Sequence, residues 1–257
     1  MLYYLRSKFK PIYKPMTEKI AILLPTRKRS NWLKRFWVSV QETARYPAYI
    51  TMYLYIDDDD LDGITAARTL SKAYPNNVFY MVGKRIMMSE MPNKLFAMTS
   101  DENIMFLAGD DLVMRTKHWD RFVVEAFDKI PDRLALVYGV DGGETQHPPD
   151  FATHPIIHRK WFDVLGYINP PYFSCDYADT WLNDLADSVG RKFLIPIYNE
   201  HMHFTLGKGE FDDTYLDGRK RFAADNVPKV FSDLKETKQK DIQKIKDYIK
   251  DYTSDDK

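Results

Sequence analysis

Two adjacent carboxylates, Asp110 and Asp111, follow the apolar run Ile104-Met105-Phe106-Leu107-Ala108 and a single glycine. Paired acids beside apolar chain are costly to desolvate unless something positive sits between them. A divalent cation holding a diphosphate meets that need, and hard oxygen ligands suit Mg²⁺ or Mn²⁺. The competing reading is an N-cap for a following helix, for which one Asp suffices. A second acidic run, Asp57-Asp58-Asp59-Asp60, follows the apolar stretch 50–56. It reads as a solvated turn, or as the source of an Asp that accepts hydrogen bonds from a nucleobase or ribose. A calcium loop is rejected. Asp58, Asp60, Asp62 and Gly63 match its first half, but Thr69 stands where the closing Glu belongs.

Three further groups carry chemistry. Pro25-Thr26-Arg27 ends the apolar run 19–25. A backbone turn with an Arg can line a nucleotide pocket and face phosphates, or be a surface loop with a basic tip. Asp176 and Asp179 stand at the start of a helical pattern that closes at Gly190. Each is a helix cap or a general base that takes a proton from an acceptor hydroxyl. His201 and His203 are two apart on an extended segment and so point the same way. Either can complete a metal site with Asp111, or be structural.

These residues need elements to hold them. Apolar runs at 19–25, 50–56, 78–82 and 104–108 read as buried strands. Helical spacing at 31–45, with Trp32, Leu33, Phe36, Trp37 and Val40, and further helices at 64–74 and 92–99, alternate with them. Strand alternating with helix is the signature of a parallel, doubly wound sheet, which binds ligands at the carboxyl ends of its strands. Three of the four strands end in polar or charged residues, which puts the chemistry on one sheet edge. Later come a helix near 117–129, a strand at 134–138, a Gly-, Pro- and His-rich loop from 139 to about 155, a helix at 179–189 and a strand at 193–198. Residues 232–252 form a Lys/Asp-rich helix with an apolar stripe of Ile242, Ile245, Ile249 and Tyr252. That stripe packs on the domain or on a partner chain, and a homodimer through it is one expectation.

The whole chain bounds the answer. Its 257 residues suffice for one α/β domain with an appendage, and 44% hydrophobic residues can build a core. Lys+Arg and Asp+Glu are both 37, so no overall basic excess marks a nucleic-acid binder. The segment 1–29 is locally basic, with eight Lys and Arg against Glu18. The single cysteine, Cys175, excludes a disulfide framework. No run has the length of a membrane span, and the N-terminus does not read as a signal peptide. A cytoplasmic location is therefore expected.

Taken in order, the motifs resemble family-2-like glycosyltransferases with the GT-A fold, the nucleotide-diphospho-sugar transferase architecture. The resemblance covers roughly residues 18–205. Ile22-Leu23-Leu24-Pro25-Thr26-Arg27 is similar to the first-strand nucleotide motif, and Ile56-Asp57-Asp58 to the acidic motif that contacts the uracil or ribose. Pro92-Asn93-Lys94-Leu95 stands where the family has an Asn segment near the nucleotide sugar. The segment 106–111 looks like its Asp-x-Asp segment with Ala108 in place of the first acid, so Asp110 and Asp111 carry its role. The segment from Ala178-Asp179-Thr180-Trp181 to Gly190 looks like the one that supplies the catalytic base, Asp179.

The resemblance implies an α/β chain with a Rossmann-like, mostly parallel central sheet flanked by helices. It divides into a basic segment 1–17, a catalytic domain 18–215 and a C-terminal helical extension 216–257. The implied activity is metal-dependent, inverting transfer of a sugar from a nucleotide-diphospho-sugar, a UDP-sugar by family, to a hydroxyl acceptor. Asp111 with one of His201 and His203 would hold Mn²⁺ or Mg²⁺. Pro25, Thr26, Arg27, Asp57, Asp58, Asn93, Lys94 and Asp110 would hold the donor. The acceptor is a glycan, a protein or a nucleic acid, including a modified base of DNA. A nucleotidyltransferase and a non-catalytic sugar-nucleotide-binding protein are the rival readings. The first lacks its Gly-rich phosphate loop after the first strand, and the second has no need of acids at three strand ends.

Overall fold

A computed structural model describes residues 16–142 and 150–255. Most of the basic segment 1–17 and part of the 139–155 loop lie outside these residues. Eight strands form one sheet in the order β3-β2-β1-β4-β7-β6-β8-β5. Strands β1 (Lys19–Thr26), β2 (Ile50–Asp57), β3 (Val78–Gly83) and β4 (Glu102–Leu107) pair in parallel. They are the four strands expected from the apolar runs. Beyond β4 the sheet turns mixed. Strands β6 (Leu136–Val140) and β8 (Lys192–His201) are parallel. Between β4 and β6 lies the antiparallel β7 (Ile156–His158), and β5 (Leu112–Met114) closes the far edge antiparallel to β8.

Strand β1 is buried on both faces, which explains why its sequence is a continuous apolar run rather than an alternation. Ile20, Ile22 and Leu24 face one layer, with Leu33, Phe36, Trp37 and Val40 of helix α1 (Ser30–Thr43). These four fall at i, i+3, i+4 and i+7, so one stripe of α1 enters the core. Helices α2 (Leu61–Ala73) and α4 (Trp119–Asp128) complete that layer. Ala21 and Leu23 face the opposite layer, which holds α3 (Met91–Phe96), α5 (Lys160–Leu165) and α6 (Ala178–Ser188).

Two acidic motifs resolve differently. Asp60 is an N-cap, since its carboxylate accepts a hydrogen bond from the Gly63 amide at 3.0 Å at the start of α2. Asp110 and Asp111 are not caps: the turn they form leads into β5 and no helix follows directly. The cap reading of this pair therefore fails, and its two buried carboxylates need another partner.

The chain after β8 is more ordered than its sequence pattern indicates. It forms α7 (Asp213–Ala224), α8 (Val227–Asp233) and α9 (Lys235–Asp255). The expected boundary at 215 falls inside α7. Ile242 and Ile245 of α9 are buried in the same cluster as Trp161, Trp181 and Leu182, with Tyr248 and Ile249 packed against it. Of the two expectations for the stripe, packing on the domain is the one seen: it lies against the chain's own α5 and α6. No helix among the described residues is long and apolar enough to cross a membrane. Because Ile245 is fully buried, Ile245→Ala should cost about 2–4 kcal/mol in urea unfolding. Lys246→Ala, one position along on the exposed face, should stay within about 0.5 kcal/mol.

Candidate metal and nucleotide site

The carboxyl ends of β1, β2 and β4 open into one cleft of about 400 Å³, within the usual size range of small-molecule sites. Its floor is the turn after β4. Asp110 and Asp111 are both buried there. Thr26, at the end of β1, donates its hydroxyl to Asp110 Oδ2 at 2.7 Å. Arg29 reaches Asp110 Oδ1 at 3.1 Å and lies 3.8 Å from Asp111 Oδ2. The other side of its guanidinium forms a two-pronged pair with Asp212 at 2.7 and 2.9 Å. Asp212 in turn caps α7 through the Tyr215 amide, and Thr214 donates to the Arg27 carbonyl at 2.9 Å. These bonds tie α7 across the cleft. Burial, reinforced by the charge of Asp111, pushes the Asp110 carboxyl up against the pull of Arg29. For Asp111, burial is outweighed by His201, His154 and Arg29, which hold its carboxyl well below the usual range.

Asp111 is the centre of the cluster. Its Oδ2 lies 3.2 Å from His201 Nε2 and accepts the Tyr215 hydroxyl at 2.9 Å. The His154 ring meets the His201 ring edge-on at 4.8 Å. Asp111, His154 and His201 each offer a ligand atom, and these atoms lie within 4.8 Å of one another. Two features fit a cation here. The buried His154 Nδ1 has no hydrogen-bond partner. At Gly109 a Cβ would stand 2.6 Å from Asp111 Oδ1 and 3.1 Å from His154 Nε2, so a larger residue there would displace the two side chains that converge. Burial pushes the His154 imidazole down to about 4, which keeps it neutral, the ligating form.

His203 sits beside this group rather than in it. Its ring is 5.0 Å from that of His201, and its Nδ1 is 2.6 Å from Thr205 Oγ1. Burial, with the charges of His201, Arg29 and Arg219, pushes it down to about 4.

At the other end of the cleft, Arg27 donates to Asp57 Oδ2 at 2.9 Å and to Asp59 Oδ2 at 2.7 Å. Arg85 Nε lies 3.8 Å from the same Asp57 oxygen. Asp57 is buried, and its Oδ1 has no partner. Burial pushes this carboxyl up even with Arg27 and Arg85 beside it. An unpaired, buried acceptor facing a cleft is the atom that a base or ribose N–H or O–H would satisfy. Pro25 and Thr26 also line this end.

Asp179 lines the cleft from the first turn of α6. The chain enters this helix through Asp176 and Tyr177, both at positive φ (48° and 60°), a conformation that costs non-glycine residues on the order of 1–3 kcal/mol. Tyr177, not Asp179, holds the N-cap position. Burial, with the nearby charge of Asp176, pushes the Asp179 carboxyl up to about 6.

Three expected donor contacts lie elsewhere. Asp58 is exposed and outside the cleft lining. Asn93 is engaged on every side: its Oδ1 accepts from the Ile168 and Asn169 amides, and its Nδ2 donates to the Asn169 carbonyl at 2.6 Å. It braces α3 against the 168–169 turn. Lys94 is exposed on the next position. Conversely His154, Arg29 and Tyr215 are cleft residues that motif reading passed over, as it did Asp212, the partner of Arg29. The His-rich loop hinted at His154, whereas nothing local marked Tyr215.

No family model matches this sequence, and no curated protein matches it. The fold, in contrast, is similar to solved structures. One is the mannosyltransferase PcManGT from Pyrobaculum calidifontis in complex with GDP-Man and Mn²⁺. It matches at TM-score 0.58 and 12% identity over 73% of this chain and 60% of that one. Another is S. aureus TarS 1–349, at TM-score 0.52 and 11% identity over 71% and 60%. The complex of TarS 1–349 with UDP matches at TM-score 0.52 and 10% identity over 70% and 60%. This chain therefore spans 60% of the length of each of these proteins. At such identities the likeness shows the fold alone, a GT-A-like α/β architecture.

Two measurements follow from this geometry. In calorimetric titration with Mn²⁺, His154→Ala and Gly109→Ala should each weaken binding by about 10–100-fold, and His203→Ala should change it far less. In thermal unfolding, Asp179→Asn should match the parent near pH 3.5, gain stability on it between about pH 4 and 6, and keep that gain above 6. The sign follows from a native carboxyl raised to about 6: below the unfolded value both states are protonated, and above 6 only the parent holds a disfavoured charge.

Proposed function

We propose that this chain is a metal-dependent glycosyltransferase that moves a sugar from a nucleoside-diphosphate sugar to a hydroxyl acceptor with inversion. One observation carries the reading. Asp111, His154 and His201 converge at one place in a cleft that also holds the unpaired carboxylate oxygen of Asp57 and the raised carboxyl of Asp179. The solved proteins of this fold include complexes with GDP-Man and Mn²⁺ and with UDP, which supports a donor of this class.

Each residue then has a task. Asp57 accepts from the base or ribose, and Arg27 and Arg85 keep it ionised. Asp111, His154 and His201 hold the cation. Two imidazoles and one carboxylate suit Mn²⁺ better than Mg²⁺, which prefers an all-oxygen shell. When bound, the ion neutralises charge that develops on the departing diphosphate. Arg29 and Thr26 hold Asp110 and so fix the turn that aims Asp111. Asp179 takes the proton of the acceptor hydroxyl. The acceptor oxygen forms its bond to the anomeric carbon as the bond from that carbon to the diphosphate oxygen breaks, and the nucleoside diphosphate leaves. Attack on the face opposite the leaving group inverts the centre. A carboxyl raised to about 6 by burial is a stronger base than an exposed Asp and is still ionised at neutral pH.

A screen of UDP- and GDP-sugars by thermal unfolding with Mn²⁺ present tests the reading. A true donor at about 100 times its Kd stabilises by about 2.7 kcal/mol, and excess chelator should remove the effect. With that donor, Asp179→Asn should retain binding while transfer falls by about 10²–10⁴-fold. Parent transfer should rise with pH through 6 and level off above it. Full activity in excess chelator would overturn the metal assignment, and full activity of Asp179→Asn the base.

A further inference from the structure

Helix α7 carries a cleft wall, and its charges are not all accounted for by the roles above. Five arginines line the cleft. Four are committed: Arg27 to Asp57 and Asp59, Arg29 to Asp110 and Asp212, Arg85 to Asp217, and Arg221 to the Ile86 carbonyl at 2.9 Å. Arg219 alone among them has no hydrogen-bond or ion-pair partner among the described residues. It is exposed to the cleft, one turn along α7 from Tyr215, whose hydroxyl rests on Asp111. Its charge also reaches His203, beside the cation cluster.

The space next to Arg219 is open as well. Gly218 lies in mid-helix and lines the cleft, and a Cβ built there meets nothing within 4 Å. A glycine at such a position costs about 0.5–1 kcal/mol relative to alanine, and no protein atom uses the room it leaves. An unpaired guanidinium beside an open gap, in the cleft that holds the cation cluster, is suited to a phosphate group. Its planar fork of donors matches two phosphate oxygens at once.

The geometry points to Arg219 as the residue of α7 that binds the donor diphosphate. The diphosphate would then be held between the sheet edge and α7. The assignment rests on the proposed donor reading and extends it to α7, a helix outside the motif order that suggested the activity.

The test is a titration of the full chain with UDP and with GDP, each in the presence of Mn²⁺, for the parent, Arg219→Gln, Arg219→Lys and Arg68→Gln. Arg68 is exposed on α2, away from the cleft. Arg219→Gln should weaken the nucleoside diphosphate that the parent binds by about tenfold or more. Arg219→Lys should recover part of that loss, and Arg68→Gln should bind as the parent does. The unfolding midpoint of ligand-free Arg219→Gln should equal the parent's, because the side chain is exposed and unpartnered. Parent-like binding by Arg219→Gln overturns the assignment. Parent-like binding with lost sugar transfer also overturns it and moves the guanidinium to the acceptor. If the parent binds neither UDP nor GDP, the donor reading itself falls, and Arg219 falls with it.

Discussion

Arg29 is the ion on which the site depends. Two adjacent buried carboxylates end strand β4, and without a cation between them the turn that carries them would repel itself and lose its hydration for nothing. Arg29 answers Asp110 on one side and Asp212 on the other. The Tyr215 ring lies 4.1 Å from its guanidinium and the Trp32 ring 4.9 Å. The guanidinium therefore joins the loop after β1, the turn after β4 and the start of α7. Removing one member of a buried ionic group leaves the others uncompensated, typically at about 3–5 kcal/mol.

That arrangement separates the two acids by environment. Asp110 is enclosed by Thr26 and Arg29 and acts as a structural anchor. Asp111 faces two imidazoles and a phenol, and the hydrogen bonds from His201 and Tyr215 help keep it ionised. Adjacent carboxylates thus take different protonation tendencies from their neighbours alone. The same logic sets Asp179 apart. Among the described residues it has no cationic partner, only the Thr180 amide and hydroxyl, and a second acid nearby. Its raised carboxyl is the cost of standing in a cleft unpaired, and also what a base requires.

The C-terminal region changes role in this light. Residues after 215 form part of a cleft wall through α7 and part of the core through α8 and α9, where Val227, Ile242 and Ile245 pack with Trp181. A long polar helix with a narrow apolar stripe would be expected to seek any apolar face. Here the nearest is its own α5 and α6.

Much of this was legible in the sequence, for definite reasons. The strands β1 to β4 and helix α1 announce themselves because a strand buried on both faces must be apolar throughout, and a helix on a core must repeat at i, i+3, i+4 and i+7. Their order placed Thr26, Arg27, Asp57, Asp110, Asp111 and Asp179 around one edge before any coordinates. The three-residue strands β5 and β7 were not legible, since three residues carry no period. Yet β7 decides the cluster. Its antiparallel insertion beside β4 brings the Pro155 carbonyl to the Leu107 amide at 3.0 Å, and with it His154 to Asp111. Nor could local pattern show that Asn93 is consumed by the 168–169 turn, or that α7 returns across the cleft with Tyr215 and Arg219. Local periodicity determines which segments are buried and in what order they can pair. Which side chains meet across 47, 104 or 183 residues is a matter of sheet insertion and buried charge compensation, and only the tertiary structure decided it.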